Sequence, residues 1–171
     1  MQLTASIEGT EVGSCKGSLQ EVVRRRIAIA GLGEHLKNLV KSDANVTPVD
    51  CPVTHRFAPG VYIREILMPK GTLIVGKIHK TSHFNEVISG ECKVVTPASG
   101  VVESFKAGDI FVSEAGVQKV VYNTTDVVWR TVHLNPSNTE SEKELESDII
   151  AETFDDIGHD QLIEECKRLG L

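Results

Sequence analysis

The chain has 171 residues, 40% hydrophobic and 25% charged, which is enough for one filled core with helical additions and typical of a soluble globular protein. A formal net charge of −6 repels phosphate backbones and excludes general nucleic-acid binding, while a local basic pocket for a small anion stays open. No run of about 20 apolar residues exists to span a membrane, and Met1 to Gly13 lack the apolar stretch of a secretory signal. Cys15, Cys51, Cys92 and Cys166 are scattered without a Cys-x-x-Cys pair, so they read as free thiols in a reducing compartment, and the expected location is cytoplasmic.

The first 17 residues are polar and Gly/Ser-containing and predict an arm. Ser18 and Glu21 then form a capping box. Val22, Ile29, Leu32, Leu36, Leu39 and Val40 follow at helical spacing, with a kink or break expected at Gly31 and Gly33. Arg24, Arg25 and Arg26 spread over different faces of this helix and suit a solvated or interface role. Gly31-Leu-Gly33 is no dinucleotide fingerprint, since no strand precedes it and a third glycine is missing. Ser42 to Pro48 read as a linker.

From Val61 the pattern turns to short β-rich runs, at 61–68, 72–79, 86–89, 92–96, 101–105, 110–113, 117–123 and 126–133. Turn signals such as Pro69-Lys70-Gly71, Ser89-Gly90 and Ala107-Gly108-Asp109 separate them. Strands at this spacing predict a sandwich, barrel or jelly roll, with Trp129 and Phe111 as core aromatics. After Pro136 the chain becomes acidic and helical. One helix is expected over Glu142 to Glu152, with Ile149 and Ile150 as its apolar patch. A second is capped by Asp160, carries Leu162, Ile163, Cys166 and Leu169 as a stripe, and ends at Gly170. The organisation is therefore an arm and helix over 1–48, a β-barrel over 49–136 and a helical tail over 137–171. The terminal helices are expected to pack on the barrel or on a second subunit.

Within the β-region, Gly71, Lys77, His79, His83 and Gly90 stand at fixed intervals, as do Gly108, Glu114, Gly116, Lys119 and Asn123. These intervals match G-x5-H-x-H-x3-4-E-x6-G and G-x5-P-x-G-x2-H-x3-N, so the segment from about Val61 to His133 resembles the cupin family. The resemblance implies a mainly β fold, a single jelly-roll β-barrel. It also implies that the residues at 77, 79, 83 and 119 face one interior pocket, where the family holds a divalent metal on three histidines and a glutamate. Phrases such as Gly76-Lys-Ile-His-Lys-Thr-Ser-His83 are further similar to small cupin-like proteins of bacteriophages.

Three of the four ligand positions depart from the family: Lys77 and Lys119 replace histidines and His83 replaces the glutamate. Glu114 also replaces the second motif's proline. Lysine is a poor ligand because its amine is protonated at neutral pH, so the metal site is degenerate. Two readings follow. In one, Lys77, His79, His83 and Lys119 hold a small anion, such as a nucleotide or sugar phosphate, without metal. In a phage protein this ligand would be a sequestered host signal. In the other, His79 and His83 are joined by His133, or less well by Glu86, around Zn²⁺, Fe²⁺ or Mn²⁺. An isomerase, lyase or oxygenase would then use Glu86 as acid or base. A structural or virion-associated oligomeric barrel is a third class. Cupins commonly pair through their sheets, so the resemblance, together with the apolar terminal helices, implies a homodimer. His35, His55 and His159 lie outside the motifs and are expected on the surface.

Overall fold

The computed structural model describes residues 19–158. The Ser18 cap, Cys15, Cys166, His159 and the second C-terminal helix lie outside these residues. Helix α1 spans Leu19–Ser42 without a break. The expected break is absent because glycine, unlike proline, keeps its backbone donor. Two glycines cost the helix about 1 kcal/mol each, which tertiary contact outweighs. Gly33 lies against Val75, whose Cγ1 would stand 3.4 Å from an added Cβ. Ile29 is buried, Arg25 donates to the carbonyls of Pro97 and Ala98, and the Arg26 guanidinium sits 5.4 Å from the Phe154 ring centre. His35 is exposed, as expected.

Ten strands follow: β1 Val53–Ala58, β2 Gly60–Met68, β3 Leu73–Val75, β4 Ile78–His79, β5 His83–Ser89, β6 Glu91–Val95, β7 Glu103–Lys106, β8 Ile110–Ser113, β9 Val120–Asn123 and β10 Val127–Asn135. One antiparallel sheet has the order β1-β2-β10-β5-β8 and a second the order β3-β9-β6-β7. Between them lies a core of Met68, Val87, Cys92, Val94, Val121, Val127 and Trp129, with Phe111 edge-on to Trp129. Burial alternates along β10 from Val127 to Asn135, the signature of a strand with one face inward. Cys51 and Cys92 are free thiols.

Two differences from the sequence reading matter. Strand β1 pairs with β2 along its whole length, but its segment carries few apolar residues and follows Pro52, so it gave no strand signal. The expected strand over 72–79 is split at Gly76-Lys77, where Gly76 donates its N–H to the Lys119 carbonyl at 2.8 Å. The motif glycines occupy turns. Gly90 has φ +85°, and a Cβ there would stand 2.0 Å from the Asp126 carbonyl oxygen, so no other residue fits.

Helix α2 spans Glu142–Ile149, capped by the Ser141 hydroxyl, which accepts from the Glu144 N–H. Its buried Leu145 and Ile149 pack on Tyr62. The helix stops three residues before the expected Glu152 because Ile150 and Ala151 form β11, pairing with His79 and Ile78 of β4. This segment lays α2 across the open end of the barrel. Among the described residues no helix is long and apolar enough to cross a membrane.

Candidate metal centre and cavity

A cavity of about 350 Å³ opens between the two sheets beneath α2. Three histidines from three strands meet at its edge: His79, which ends β4, and His133 of β10 line it, and His83, which begins β5, packs against both. Their ring centres are 4.0 Å (79 to 83), 4.6 Å (83 to 133) and 5.0 Å (79 to 133) apart. One nitrogen of each lies within 4.8 Å of the other two.

The hydrogen bonding of these rings shows what they lack. His83 Nδ1 lies 3.1 Å from the Thr81 carbonyl, which can only accept, so Nδ1 carries the hydrogen and Nε2 presents a lone pair. That Nε2, His79 Nδ1 and His133 Nδ1 are all buried without a hydrogen-bond partner. Three buried imidazoles, each with an orphaned nitrogen and with their ring centres this close together, are costly unless a partner satisfies them. Burial, followed by the neighbouring His83, His133 and Lys119, pushes His79 down to about 2. Burial likewise takes His83 to about 4 and His133 to about 3. At neutral pH all three are uncharged, the form that binds a metal. The donor set therefore fits one divalent transition ion.

The floor beneath is polar but satisfied. Asn85 takes the Trp129 indole N–H at 3.1 Å and donates to the Ser113 hydroxyl at 2.9 Å and the His83 carbonyl at 3.3 Å. This network fixes the start of β5, and with it His83.

The other sequence candidates divide. Lys119 is buried on the cavity wall, and desolvation lowers its amine to about 8. Lys77 stands at the rim, exposed, with its ammonium bound to Glu146 of α2. The break in the expected strand removes it from the i, i+2 relation with His79 that would have aimed both inward. Glu86 is excluded from the cavity. It lies on β5 with odd spacing from His83, hence on the outer face, where it accepts from Arg130 at 2.9 Å.

Two cavity residues were missed. His55 does not sit free on the surface: it lines the cavity, its Nδ1 2.8 Å from the Tyr62 hydroxyl and its Nε2 3.5 Å from Glu142. Arg64 of β2 also lines the cavity, and among the described residues its side chain has no hydrogen-bond or ion-pair partner. The alternation Tyr62, Arg64, Ile66, Met68 puts a cation in an inward row. The outward row of β2, Ile63, Glu65 and Leu67, is equally apolar, so the pattern alone did not say which row faced in.

Two antiparallel sheets closed on each other, with the motif glycines at the turns and the motif histidines inside, define a cupin-type jelly roll. The chain is similar to a solved RmlC-like cupin from Methanocaldococcus jannaschii, 18% identical with TM-score 0.44 over 56% of this chain and 87% of that one. An RmlC-like cupin from Shewanella frigidimarina is 20% identical with TM-score 0.42, over 53% and 78%. A salicylate 1,2-dioxygenase from Pseudoaminobacter salicylatoxidans is 15% identical with TM-score 0.47, over 70% of this chain but 36% of the enzyme. At these values the likeness concerns the fold alone. No protein-family model matches the chain, and no curated protein sequence matches it.

Proposed function

We propose that this protein is a metal-binding cupin in which His79, His83 and His133 hold one divalent transition ion, Zn²⁺, Fe²⁺ or Mn²⁺, beside a cavity for a small organic molecule. The observation that carries the reading is the meeting of three imidazoles from three strands, each with a buried unpartnered nitrogen and each with one nitrogen within 4.8 Å of the others. An ion on three imidazoles supplies a Lewis acid with positions left for a ligand. The chain's own residues bind and enclose that ligand. Lys119 and Arg64 give the wall positive charge, and Glu142, Leu145, Glu146 and Ile149 of α2 line one side. A small-molecule enzyme of the isomerase, lyase or oxygenase kind fits this arrangement. Glu86 takes no part in it, and Tyr62 with His55 is the acid–base pair on the wall.

A second reading, a metal-free pocket for a small anion such as a sugar phosphate, is favoured by the burial of Lys119. It is weakened by Lys77, whose charge is already taken by Glu146. Elemental analysis of protein purified without chelator separates the two. The metal reading expects about one equivalent of a transition metal in the wild type and about a tenth of that or less in His79→Ala/His83→Ala. A wild type that stays empty after dialysis against Zn²⁺, Fe²⁺ and Mn²⁺ overturns it.

A further inference from the structure

Among the cavity's charges, the rim cation Lys77 is bound by Glu146, and His55 lies against Glu142. Arg64 and Lys119 are the cations left over, with no hydrogen-bond or ion-pair partner for either side chain among the described residues. Glu146 lies within electrostatic reach of Arg64, but its carboxylate is bound by Lys77.

The register places Arg64. It stands opposite Thr131, between the pair Tyr62–His133 on one side and the pair Ile66–Trp129 on the other. Arg64 is thus the diagonal neighbour of a proposed metal ligand, with backbones roughly 7–8 Å apart. In the other direction the wall is apolar, with Ile66, Met68 and Trp129. The cavity therefore has three zones in order: imidazoles, cations, and an apolar end.

We infer that the ligand is a small organic acid whose carboxylate is gripped by Arg64, with Lys119 as second cation, and whose apolar body lies against Trp129 and Met68. This rests on the reading of the cavity as a ligand site and names its substrate class. The guanidinium fork matches a carboxylate with two parallel hydrogen bonds, whereas the Lys119 ammonium adds a point charge. A sugar phosphate would place its hydroxyls against Ile66, Met68 and Val121, where they find no partners. A volume of about 350 Å³ is at the small end for ligand cavities, which suits a compact acid better than a nucleotide. Two unpaired cations destabilise the empty protein, a cost that is understandable where a ligand neutralises them.

Trp129 is the only tryptophan of the chain and lines the cavity, so its fluorescence reads occupancy directly. The metal-loaded protein is titrated with benzoate, hexanoate and inorganic phosphate. At least one carboxylate is expected to saturate the signal and to bind more tightly than phosphate. Arg64→Met should weaken it by at least about tenfold, and Arg64→Lys, which keeps the charge but not the fork, should fall between. Arg64→Met should also melt no lower than wild type when empty and keep its metal content.

The inference is overturned if Arg64→Met binds like wild type, if phosphate binds tighter than both acids, or if neither acid binds at about 10 mM. A drop in the melting temperature of empty Arg64→Met would mark the residue as structural and overturn it too. Arg64-dependent carboxylate binding by protein that takes up no metal supports the inference while sinking the metal reading, so the two fail separately.

Discussion

The two faces of the five-stranded sheet treat charge in opposite ways, although they are built from alternate residues of the same strands. On the outer face Glu65 accepts from Arg130 at 2.6 and 2.8 Å and also from Arg56, while Glu86 takes the remaining arm of Arg130. Each charge there has a partner. One residue along β2, Arg64 faces inward to a wall with no acid bound to it, near three imidazoles whose inward nitrogens are unpaired. A sheet whose outer charges are matched, while on its inner side an arginine and three imidazoles are not, has been shaped for stability on one side and for a ligand on the other. Burial makes the difference consequential, because an unpaired polar group costs far more inside than at the surface.

The largest test of this contrast is acid. In the metal-free protein His79, His83 and His133 are held at about 2, 4 and 3, against an ordinary value of 6.5. As pH falls below 6.5 the unfolded chain takes up three protons that the folded protein refuses. The histidines' contribution is thus complete above 6.5 and is lost as pH falls towards the folded values. The slope approaches about 1.4 kcal/mol per pH unit for each histidine, hence up to about 4 kcal/mol per unit for three. That is enough to unfold a domain of ordinary stability near pH 5. Urea unfolding in chelator between pH 7 and 5 should show this steep loss, and the variant His79→Gln/His83→Gln/His133→Gln should lose most of the slope. A flat wild-type profile over that interval would mean that the imidazoles are not enclosed together.

How far the sequence reaches can be judged from individual residues. His79, His83 and Lys119 were visible because intervals counted along the chain translate into one face of a strand. His133 was visible because it stands at even spacing from Trp129 and Thr131 on a regular strand. Glu86 was misplaced although the sequence excluded it, since three residues from His83 on a continuous strand means the opposite face. Lys77 lines the rim of the cavity, but its ammonium is engaged for a reason no spacing rule contains: the strand breaks at Gly76, and the partner of Lys77 lies 69 residues away on α2. Arg64 and His55 escaped because β1 and β2 carry no motif. Their positions depend on which neighbours the sheet gives them, and strand order is a property of the whole fold.

On the outer face, Glu65→Gln removes the carboxylate that holds two arginines. Glu65 is only 16% exposed in its side chain, and Arg130 is one-third exposed. The loss should be about 1 kcal/mol, at the upper end for a surface pair because several hydrogen bonds are shared. Chemical denaturation should show a lower midpoint with an unchanged slope, and metal content and carboxylate binding should stay at wild-type values. A fall in metal content would join the two faces through the backbone of β2 and β10 and end the view of them as independent.

The smallest effect is expected at the rim, where the two treatments of charge meet. Lys77 occupies a position at which the cupin resemblance expects a metal ligand, and an anion holder was the natural substitute reading. Its ammonium is instead bound to Glu146, and both side chains are more than half exposed. Water and salt screen such a pair, so Lys77→Ala should cost no more than about 0.5 kcal/mol. Carboxylate affinity, read through Trp129, should change by less than about twofold, because the cation removed is one that Glu146 already neutralises. A tenfold loss would instead make Lys77 part of the anion grip. Glu146 would then act as a gate that yields its lysine to the ligand, and Lys77 would belong with Arg64 rather than with the paired charges outside.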